Sequence, residues 1–255
     1  MVQIEKGSAG SFAWVELATT DAAGAKAFYS GLFGYETHDD PVGEGMVYTM
    51  LLHGGRNAGA LYEMNQAMRD MHIPPHWLLY VTVDDLEATV AKARSIGAAV
   101  PREPMDVMGI GRMAVLQDPS SAALALWQPL QSHGFQVAHE PSTFCWGELL
   151  TPDRELAVDF YTKLFGWTAK GEPPYTELKN GDDGIGGIFQ MPPELDAPAN
   201  WMAYFMAEDC EASTKRAVEL GAQVMRPVEE IPHVGLFSVV RDPQGAAFAL
   251  YEHRH

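Results

Sequence analysis

One stretch of the chain occurs twice, and this duplication constrains the fold more than any other feature. Residues 12–35 read FAWVELATTDAAGAKAFYSGLFGY, and residues 144–167 read FCWGELLTPDRELAVDFYTKLFGW. Aligned without a gap, twelve of the twenty-four positions are identical. A match this dense indicates a duplicated folding unit. A chain of 255 residues is long enough for two ordinary domains, and the repeat predicts two.

The charge and composition of the chain narrow the classes of partner. The formal net charge is −17, from 17 Lys and Arg and 34 Asp and Glu. Nucleic-acid binding requires clustered basic side chains, so we expect no nucleic-acid partner. No apolar stretch approaches the length of a membrane span, the first ten residues lack the apolar run of a signal peptide, and the two cysteines lack metal spacing. These features predict a cytoplasmic protein without a membrane partner.

The first copy of the repeat predicts a strand followed by a helix. Residues 12–18 alternate and are rich in large apolar side chains, as in a strand. Asp21 then caps a helix that Gly34 ends. Strand patterns at 46–52 and 58–63 flank a glycine-rich turn, which predicts a hairpin.

A second unit of the same order begins at His76. An apolar strand is followed by a helix that we expect to start at Asp84 and to end at Gly97, and further strands run to residue 128. The prediction is four βαβββ modules, at about residues 12–64, 76–129, 144–191 and 200–253. They form domain one (residues 1–130) and domain two (residues 143–255), joined by a polar linker at 131–142.

These modules, with Phe-Tyr and Leu-Phe-Gly on the first helix, resemble the vicinal oxygen chelate superfamily of glyoxalases, bleomycin-resistance proteins and extradiol dioxygenases. The doubled Trp-x-Glu-Leu resembles two-domain actinobacterial glyoxalase-like proteins often labelled hydroxylases. The resemblance implies an α+β fold. In it, each pair of modules forms an incomplete mixed-sheet barrel with its helices outside and a ligand cavity within. This superfamily hosts several chemistries, so the function depends on the site.

The resemblance also implies metal-ligand positions on the first and last strands of each module. The first-strand positions of the leading modules fall at Trp14 and Trp146, and an indole ring cannot bind a metal. Those of the second modules fall at Leu78 or His76 in domain one and at Met202 or Asn200 in domain two. The last-strand positions fall at Glu63, Gln128, Gln190 and Glu252. Because half of the ligand set is missing, we expect no cofactor. The alternative is one divalent metal ion held by Glu16, Glu63 and His76.

The repeated Trp and Glu residues each allow two interpretations. Trp14 and Trp146 fill the core, or they form a stacking wall for a flat ligand. Glu16 and Glu148 lie in apolar strands, where a carboxylate is costly to bury unless it is paired. They act as a general base or ligand anchor, or they serve a structural role through salt bridges or backbone hydrogen bonds.

Differences between the halves favour domain one as the working site, because it is richer in titratable groups. There His76 and Glu63 stand where domain two has Asn200 and Gln190. The predicted catalytic residues are Glu16, Glu63, His76 and Tyr80. The predicted ligand-binding residues are Trp14, Met113, Gln128, Trp146, Glu148 and Glu252.

The sequence leaves three functions open. The leading prediction is a small-molecule-binding protein that acts, without metal, as an acid–base enzyme on a small organic or aromatic metabolite. One alternative is a metal-dependent glyoxalase-type lyase or dioxygenase. The other is a non-catalytic protein that sequesters a drug or metabolite. Tandem domains supply both halves of a cleft, so we expect a monomer or a homodimer.

Overall fold

A computed structural model describes residues 7–43, 45–195 and 197–254 of the protein. Each half of the chain forms one eight-stranded sheet. Domain one contains β1 (Phe12–Thr19), α1 (Ala22–Phe33), β2 (Glu36–Pro41), β3 (Val47–His53), β4 (Arg56–Glu63), α2 (Gln66–Asp70), β5 (His76–Thr82), α3 (Leu86–Ser95), β6 (Ala99–Val107), β7 (Gly111–Gln117) and β8 (Ala123–Pro129). Domain two contains β9 (Phe144–Thr151), α4 (Arg154–Phe165), β10 (Thr168–Lys170), β11 (Tyr175–Asn180), β12 (Asp183–Gln190), β13 (Asn200–Met206), α5 (Cys210–Glu219), β14 (Gln223–Ile231), β15 (Gly235–Arg241) and β16 (Ala247–His253).

The two sheets have the same topology. The first has the order β2-β3-β4-β1-β5-β8-β7-β6, and the second has β10-β11-β12-β9-β13-β16-β15-β14. In each, the first strands of two modules pair antiparallel at the centre, as β1 with β5, while each first strand is parallel to the last strand of its own module. The predicted α+β class and the pairing of modules are confirmed. Neither sheet closes into a barrel.

Aspartate caps begin the long helices as their spacing predicts. The side chain of Asp21 accepts a hydrogen bond from the Gly24 amide at 2.9 Å, and Gly34 ends α1 in the left-handed conformation with φ of 71°. The start of α3 differs by one residue from the prediction. Asp85 rather than Asp84 is the cap, because its carboxylate accepts from the Ala88 amide at 2.9 Å. No helix in the described ranges is long and apolar enough to cross a membrane.

The central strands have two different faces. On β1, Val15 and Leu17 are fully buried on the face that carries the helices, while Trp14 and Glu16 alternate with them on the opposite face. We call the latter the concave face. The helix-bearing faces of the two sheets pack together across the domain interface, where Phe33 and Phe205 have ring centroids 5.1 Å apart. The concave faces therefore point away from this interface.

The predicted linker packs closely against both domains. The ring centroid of Phe135 lies 5.6 Å from that of Trp14 and 5.4 Å from that of Phe144. The amide of Phe135 also donates to the carbonyl oxygen of Ala13 at 2.7 Å. Phe135 is 5% exposed, so this segment contributes to the core as well as joining the domains.

Candidate functional site

A carboxylate lies at the centre of the concave face of domain one. Glu16 is only 9% exposed, and its Oε2 accepts a hydrogen bond from the Tyr48 hydroxyl at 2.8 Å. The Tyr80 hydroxyl lies near the same carboxylate and favours its ionised form. Tyr48 itself accepts from the Trp14 Nε1–H at 3.0 Å. Glu16 is thus held by a neutral donor inside an aromatic shell.

Burial dominates the electrostatics of this carboxylate. Desolvation raises the pKa of Glu16 above its usual value, against the lowering effect of the Tyr80 and Tyr48 hydroxyls and the charge of Arg102. Burial beside Glu16 also raises the pKa values of Tyr48 and Tyr80 well above 10, so both hydroxyls remain donors. Met113 Sδ lies 4.0 Å from the Tyr80 hydroxyl, which places Met113 against the cluster.

Domain two repeats this arrangement with one difference. The Oε1 of Glu148 accepts from the Tyr204 hydroxyl at 2.8 Å, and the Trp146 Nε1–H donates to the Tyr175 hydroxyl at 3.1 Å. Tyr175 is the counterpart of Tyr48, but it makes no hydrogen bond to the carboxylate within the described residues. The Oε2 of Glu148 therefore has no protein donor in that part of the chain, and the Tyr175 O–H has no acceptor.

The second carboxylate is also less buried than the first. Glu148 and Trp146 are both partly exposed. Desolvation raises the pKa of Glu148 to about 7, opposed by the Tyr204 hydrogen bond and the charge of Arg226. At neutral pH both the acid and its conjugate base are populated. Glu148 is therefore an accessible group of intermediate acidity.

A cation lies at the edge of the same face. The guanidinium carbon of Arg226 lies 5.0 Å from the ring centroid of Phe237, and Arg226 forms an ion pair with Glu229 at 2.8 Å. The Phe237 ring in turn stacks with that of Tyr204, with centroids 6.4 Å apart. Arg226, Phe237 and Tyr204 form a continuous wall that leads to Glu148.

The four last-strand residues singled out from the sequence, Glu63, Gln128, Gln190 and Glu252, point away from the concave faces. Each lies one residue along its strand from a position on the concave face, and neighbouring residues of a strand point to opposite faces. Gln128 Oε1 accepts from the Leu86 amide at 2.9 Å, Gln190 Oε1 from Arg154 at 3.0 Å, and Glu252 Oε2 from Cys210 at 2.9 Å. These side chains bind the first amides of α3, α4 and α5. Glu63 is exposed and pairs with Arg69 at 3.2 Å.

His76 shares the concave face of domain one but stands apart from Glu16. On β5 it pairs with Ala18, whereas Glu16 pairs with Leu78, two residues further along. Its Nδ1 lies 2.8 Å from the carbonyl oxygen of Pro74, and burial lowers its pKa.

The alternative metal set of Glu16, Glu63 and His76 is therefore not brought together. Within the described residues no group of three or more His, Cys, Asp or Glu is placed to hold a metal ion. The concave faces offer one central carboxylate each, surrounded by tyrosine and tryptophan, and indole is no ligand. The residues present do not fit the metal centre that the superfamily resemblance implies.

The sequence prediction missed four residues of these clusters: Tyr48, Tyr175, Arg102 and Arg226. Tyr48 and Tyr175 occupy matching positions on β3 and β11, and Arg102 and Arg226 match on β6 and β14. Each pair is identical between the two halves, so an alignment that continued beyond the first helix would have identified these residues.

Comparisons with known proteins agree with this architecture. The model of the Glyoxalase/Bleomycin resistance protein/Dioxygenase superfamily matches residues 11–126, and that of the Glyoxalase-like domain matches residues 148–251. The chain is 38% identical over 244 residues to "Putative glyoxylase CFP32" of Mycobacterium tuberculosis, covering 93% of this chain and 92% of the relative. It is 32% identical over 265 residues to "Anthracycline biosynthesis protein DnrV" of Streptomyces peucetius, covering 96% and 94%.

Solved structures show the same fold at low sequence identity. The Mn(II)-bound glyoxalase from Novosphingobium aromaticivorans matches with a TM-score of 0.69 and 16% identity over 96% of this chain and 82% of that one. The 2,3-dioxygenase LapB from Pseudomonas sp. KL28 matches with a TM-score of 0.67 and 13% identity over 98% and 96%. With both halves matched by family models and relatives aligned over nearly their full length, the chain belongs to the glyoxalase/bleomycin resistance protein/dioxygenase superfamily.

Proposed function

We propose that the concave face of domain two binds a small organic molecule with an aromatic part, and that Glu148 exchanges a proton with it. The observation that carries this proposal is the state of Glu148. Its pKa is raised to about 7, and one of its oxygens has no partner within the described residues. A general acid or base works best when its pKa lies near the ambient pH.

The neighbours of Glu148 complement such a proton transfer. The Tyr175 O–H has no acceptor in the described part of the chain, so it is available to donate to an oxygen of the ligand. Arg226 places a positive charge at the edge of the face, where it favours negative charge developing on the ligand. Removal of a proton by Glu148 would therefore be supported by a donor and a cation that are already in place.

The walls of the site favour a flat ligand. Trp146, Tyr204 and Phe237 present aromatic rings, which stack on planar molecules at little cost in conformational entropy. Superfamily members bind small-molecule substrates, and the name of the Streptomyces relative refers to anthracycline biosynthesis. Both support a small aromatic metabolite as the ligand class.

This proposal places the chemistry in domain two instead of on Glu16, Glu63, His76 and Tyr80 of domain one. Glu16 Oε2 already accepts the Tyr48 hydroxyl, and Glu16 is more deeply buried than Glu148. Glu63 is turned away and paired with Arg69. The cluster around Glu16 is then a satisfied structural counterpart of the working site. Because the donor set does not fit a metal, no step of the proposed reaction uses one.

The test compares two matched substitutions. Wild type, Glu148→Gln and Glu16→Gln would be titrated with aryl ketones and phenols, with binding followed by tryptophan fluorescence and exchange of ligand C–H for solvent deuterium followed by NMR. We expect Glu148→Gln to lower the exchange rate by about 100-fold or more, as expected for loss of a general base, and Glu16→Gln to retain it. Loss of exchange in Glu16→Gln alone would place the chemistry in domain one. The proposal would be overturned if none of the compounds bound to the protein and none exchanged its C–H protons.

A further inference from the structure

The two domains show the same carboxylate with and without the hydroxyl of one matching tyrosine, Tyr48 on β3 and Tyr175 on β11. In domain one the phenol is internal, because the Tyr48 hydroxyl donates to Glu16 Oε2 at 2.8 Å. In domain two the equivalent Tyr175 is turned aside and accepts from Trp146 without reaching Glu148. Domain one thus displays how this constellation holds a hydroxyl group on an aromatic ring.

The position of Tyr175 requires glycine at residue 187. Glu16 pairs across the sheet with Ala60, whereas Glu148 pairs with Gly187. A Cβ atom at position 187 would overlap the hydroxyl oxygen and the Cζ atom of Tyr175. The missing methyl group at Gly187 is therefore what gives the Tyr175 hydroxyl its place over the backbone. With alanine at the matching position of domain one, the tyrosine hydroxyl lies on the carboxylate instead.

From this comparison we propose that Glu148 accepts a hydrogen bond from the hydroxyl of a hydroxyaromatic ligand. Gly187 keeps the carboxylate open, because its missing side chain leaves room for Tyr175 to lie away from Glu148. The proposal rests on the proposed function, since it names the ligand class of the same site. The ligand hydroxyl donates to Glu148 Oε2 as the Tyr48 hydroxyl does to Glu16. The ligand oxygen then accepts from the unused Tyr175 O–H.

The surroundings suit a phenol in both of its protonation states. Tyr204 already donates to the other oxygen of Glu148, which leaves Oε2 as the acceptor for the ligand. If the proton passes to Glu148, the resulting phenolate keeps the Tyr175 donor and lies in the field of Arg226. The proton moves from the ligand oxygen to the carboxylate, so the step needs no additional reactant.

A matched pair of probes tests the ligand class. 2-Naphthol and 2-methoxynaphthalene share the same ring system, but only the naphthol can donate a hydrogen bond. Titration of wild type by tryptophan fluorescence should show that 2-naphthol binds at least about tenfold more tightly, as expected for a hydrogen bond to a charged group. Glu148→Leu should bring the two dissociation constants within about twofold of each other.

A matched pair of variants tests the role of Gly187. Gly187→Ala displaces the Tyr175 hydroxyl, and we expect it to lower the affinity for 2-naphthol at least about tenfold while leaving the affinity for the ether nearly unchanged. Ala60→Gly, the reverse change in domain one, should leave the affinity of the Glu148 site for 2-naphthol as in wild type, while it gives Tyr48 the room to leave Glu16 and opens that carboxylate as a second site. Circular dichroism checks the fold of each variant. If Gly187→Ala does not fold, Tyr175→Phe and the two probes still test the hydroxyl contact, with an expected loss of severalfold for 2-naphthol alone.

The outcomes separate this proposal from the proposed function. Equal binding of the two probes to wild type would overturn the hydroxyaromatic class while leaving domain two as a ligand site. An undiminished preference for 2-naphthol in a folded Gly187→Ala would overturn the role of Gly187. Binding of neither probe, or a preference unchanged in Glu148→Leu, would overturn the proposal.

Discussion

The residues Glu16 and Glu148 have the same neighbours in sequence but different hydrogen-bond partners. The Tyr48 hydroxyl donates to Glu16, whereas its counterpart Tyr175 does not donate to Glu148, which accepts from Tyr204 within the described residues. Each lost donor removes stabilisation of the ionised form, and each exposed oxygen adds access for a ligand. A duplicated residue therefore serves a closed structural cluster in one copy and an open one in the other.

Ionisation of Glu148 should make stability depend on pH. Burial raises the pKa of this carboxyl from 4.5 to about 7 in the folded protein, so between these values the unfolded chain ionises while the folded one stays protonated. The stabilisation is full below pH 4.5 and is lost as pH rises towards 7. The shift corresponds to at most about 3 kcal/mol, less the effect of solvent exposure.

We therefore expect the unfolding free energy of wild type to fall relative to that of Glu148→Gln between pH 4.5 and pH 8. Urea unfolding at both pH values measures the difference. Glu172→Gln, which removes an exposed negative charge, is the control and should follow wild type. A constant difference between wild type and Glu148→Gln across this range would contradict the raised pKa.

At the scale of helices and strands, the capping of α3 is a direct consequence of the sequence. Asp85 accepts from the Ala88 amide, while the adjacent Asp84 is exposed and does not cap the helix. We expect Asp85→Ala to lower the unfolding free energy by about 1 kcal/mol, and Asp84→Ala to change it by less than about half of that. Thermal unfolding of the two variants side by side distinguishes them, and equal losses would show that the cap is misassigned.

The end of β8 supports the same helix. Gln128 Oε1 accepts from the Leu86 amide at the start of α3, so Gln128→Ala should cost about 1 kcal/mol of stability and leave ligand binding unchanged. Gln131→Ala, an exposed neighbour, is the matched control. Denaturant unfolding and fluorescence titration together check both parts. A loss of affinity without a loss of stability would return Gln128 to the ligand site.

These element-scale details mark the limit of what the sequence could predict. The duplicated stretch with its Asp and Gly boundaries predicted the modules and their order. The directions of Gln128 and Glu252 were not predictable in the same way, because an error of one residue in strand register turns a side chain to the other face. The short helix α2, which lies between modules, has no buried residue and so left no apolar pattern.

The consequence of Gly187 could not be read from sequence either. Its effect depends on the contact with Tyr175 on the neighbouring strand β11, which only the pairing of β11 with β12 brings about. The residues that distinguish an open from a closed carboxylate are therefore cross-strand neighbours. By contrast, the residues that specify the fold lie within one continuous stretch.

At the scale of the whole molecule, the repeated Phe-Tyr pair joins the two domains. The Tyr29 hydroxyl donates to Asp242 Oδ2 at 2.8 Å, and the Tyr161 hydroxyl donates to Asp118 Oδ2 at 3.0 Å. Both contacts are buried and cross the domain interface in opposite directions. Each tyrosine also accepts an indole N–H, at 3.0 Å from Trp77 and 2.8 Å from Trp201. The duplication thus supplies a reciprocal pair of interdomain contacts.

Removing either hydroxyl leaves a buried aspartate and an indole N–H each without one partner. We expect Tyr29→Phe and Tyr161→Phe each to lower the unfolding free energy by about 1–3 kcal/mol. Tyr62→Phe is the control, since domain two carries Phe189 at the matching position. Chemical unfolding of the three variants measures the effect. If Tyr62→Phe lowered the unfolding free energy as much as the other two variants, the interdomain hydrogen bonds would contribute no more to stability than the Tyr62 hydroxyl does.

The proposed role of domain two depends most on Glu148 being an accessible acid–base group near neutrality. The direct measurement is a pH titration of ¹³C-labelled glutamate carboxyl groups by NMR, with Glu148→Gln identifying the resonance. We predict a midpoint near pH 7 for Glu148 that shifts when 2-naphthol is added. A midpoint below about 5, or a midpoint near 7 that 2-naphthol leaves unchanged at saturation, would contradict the proposed role of this carboxylate.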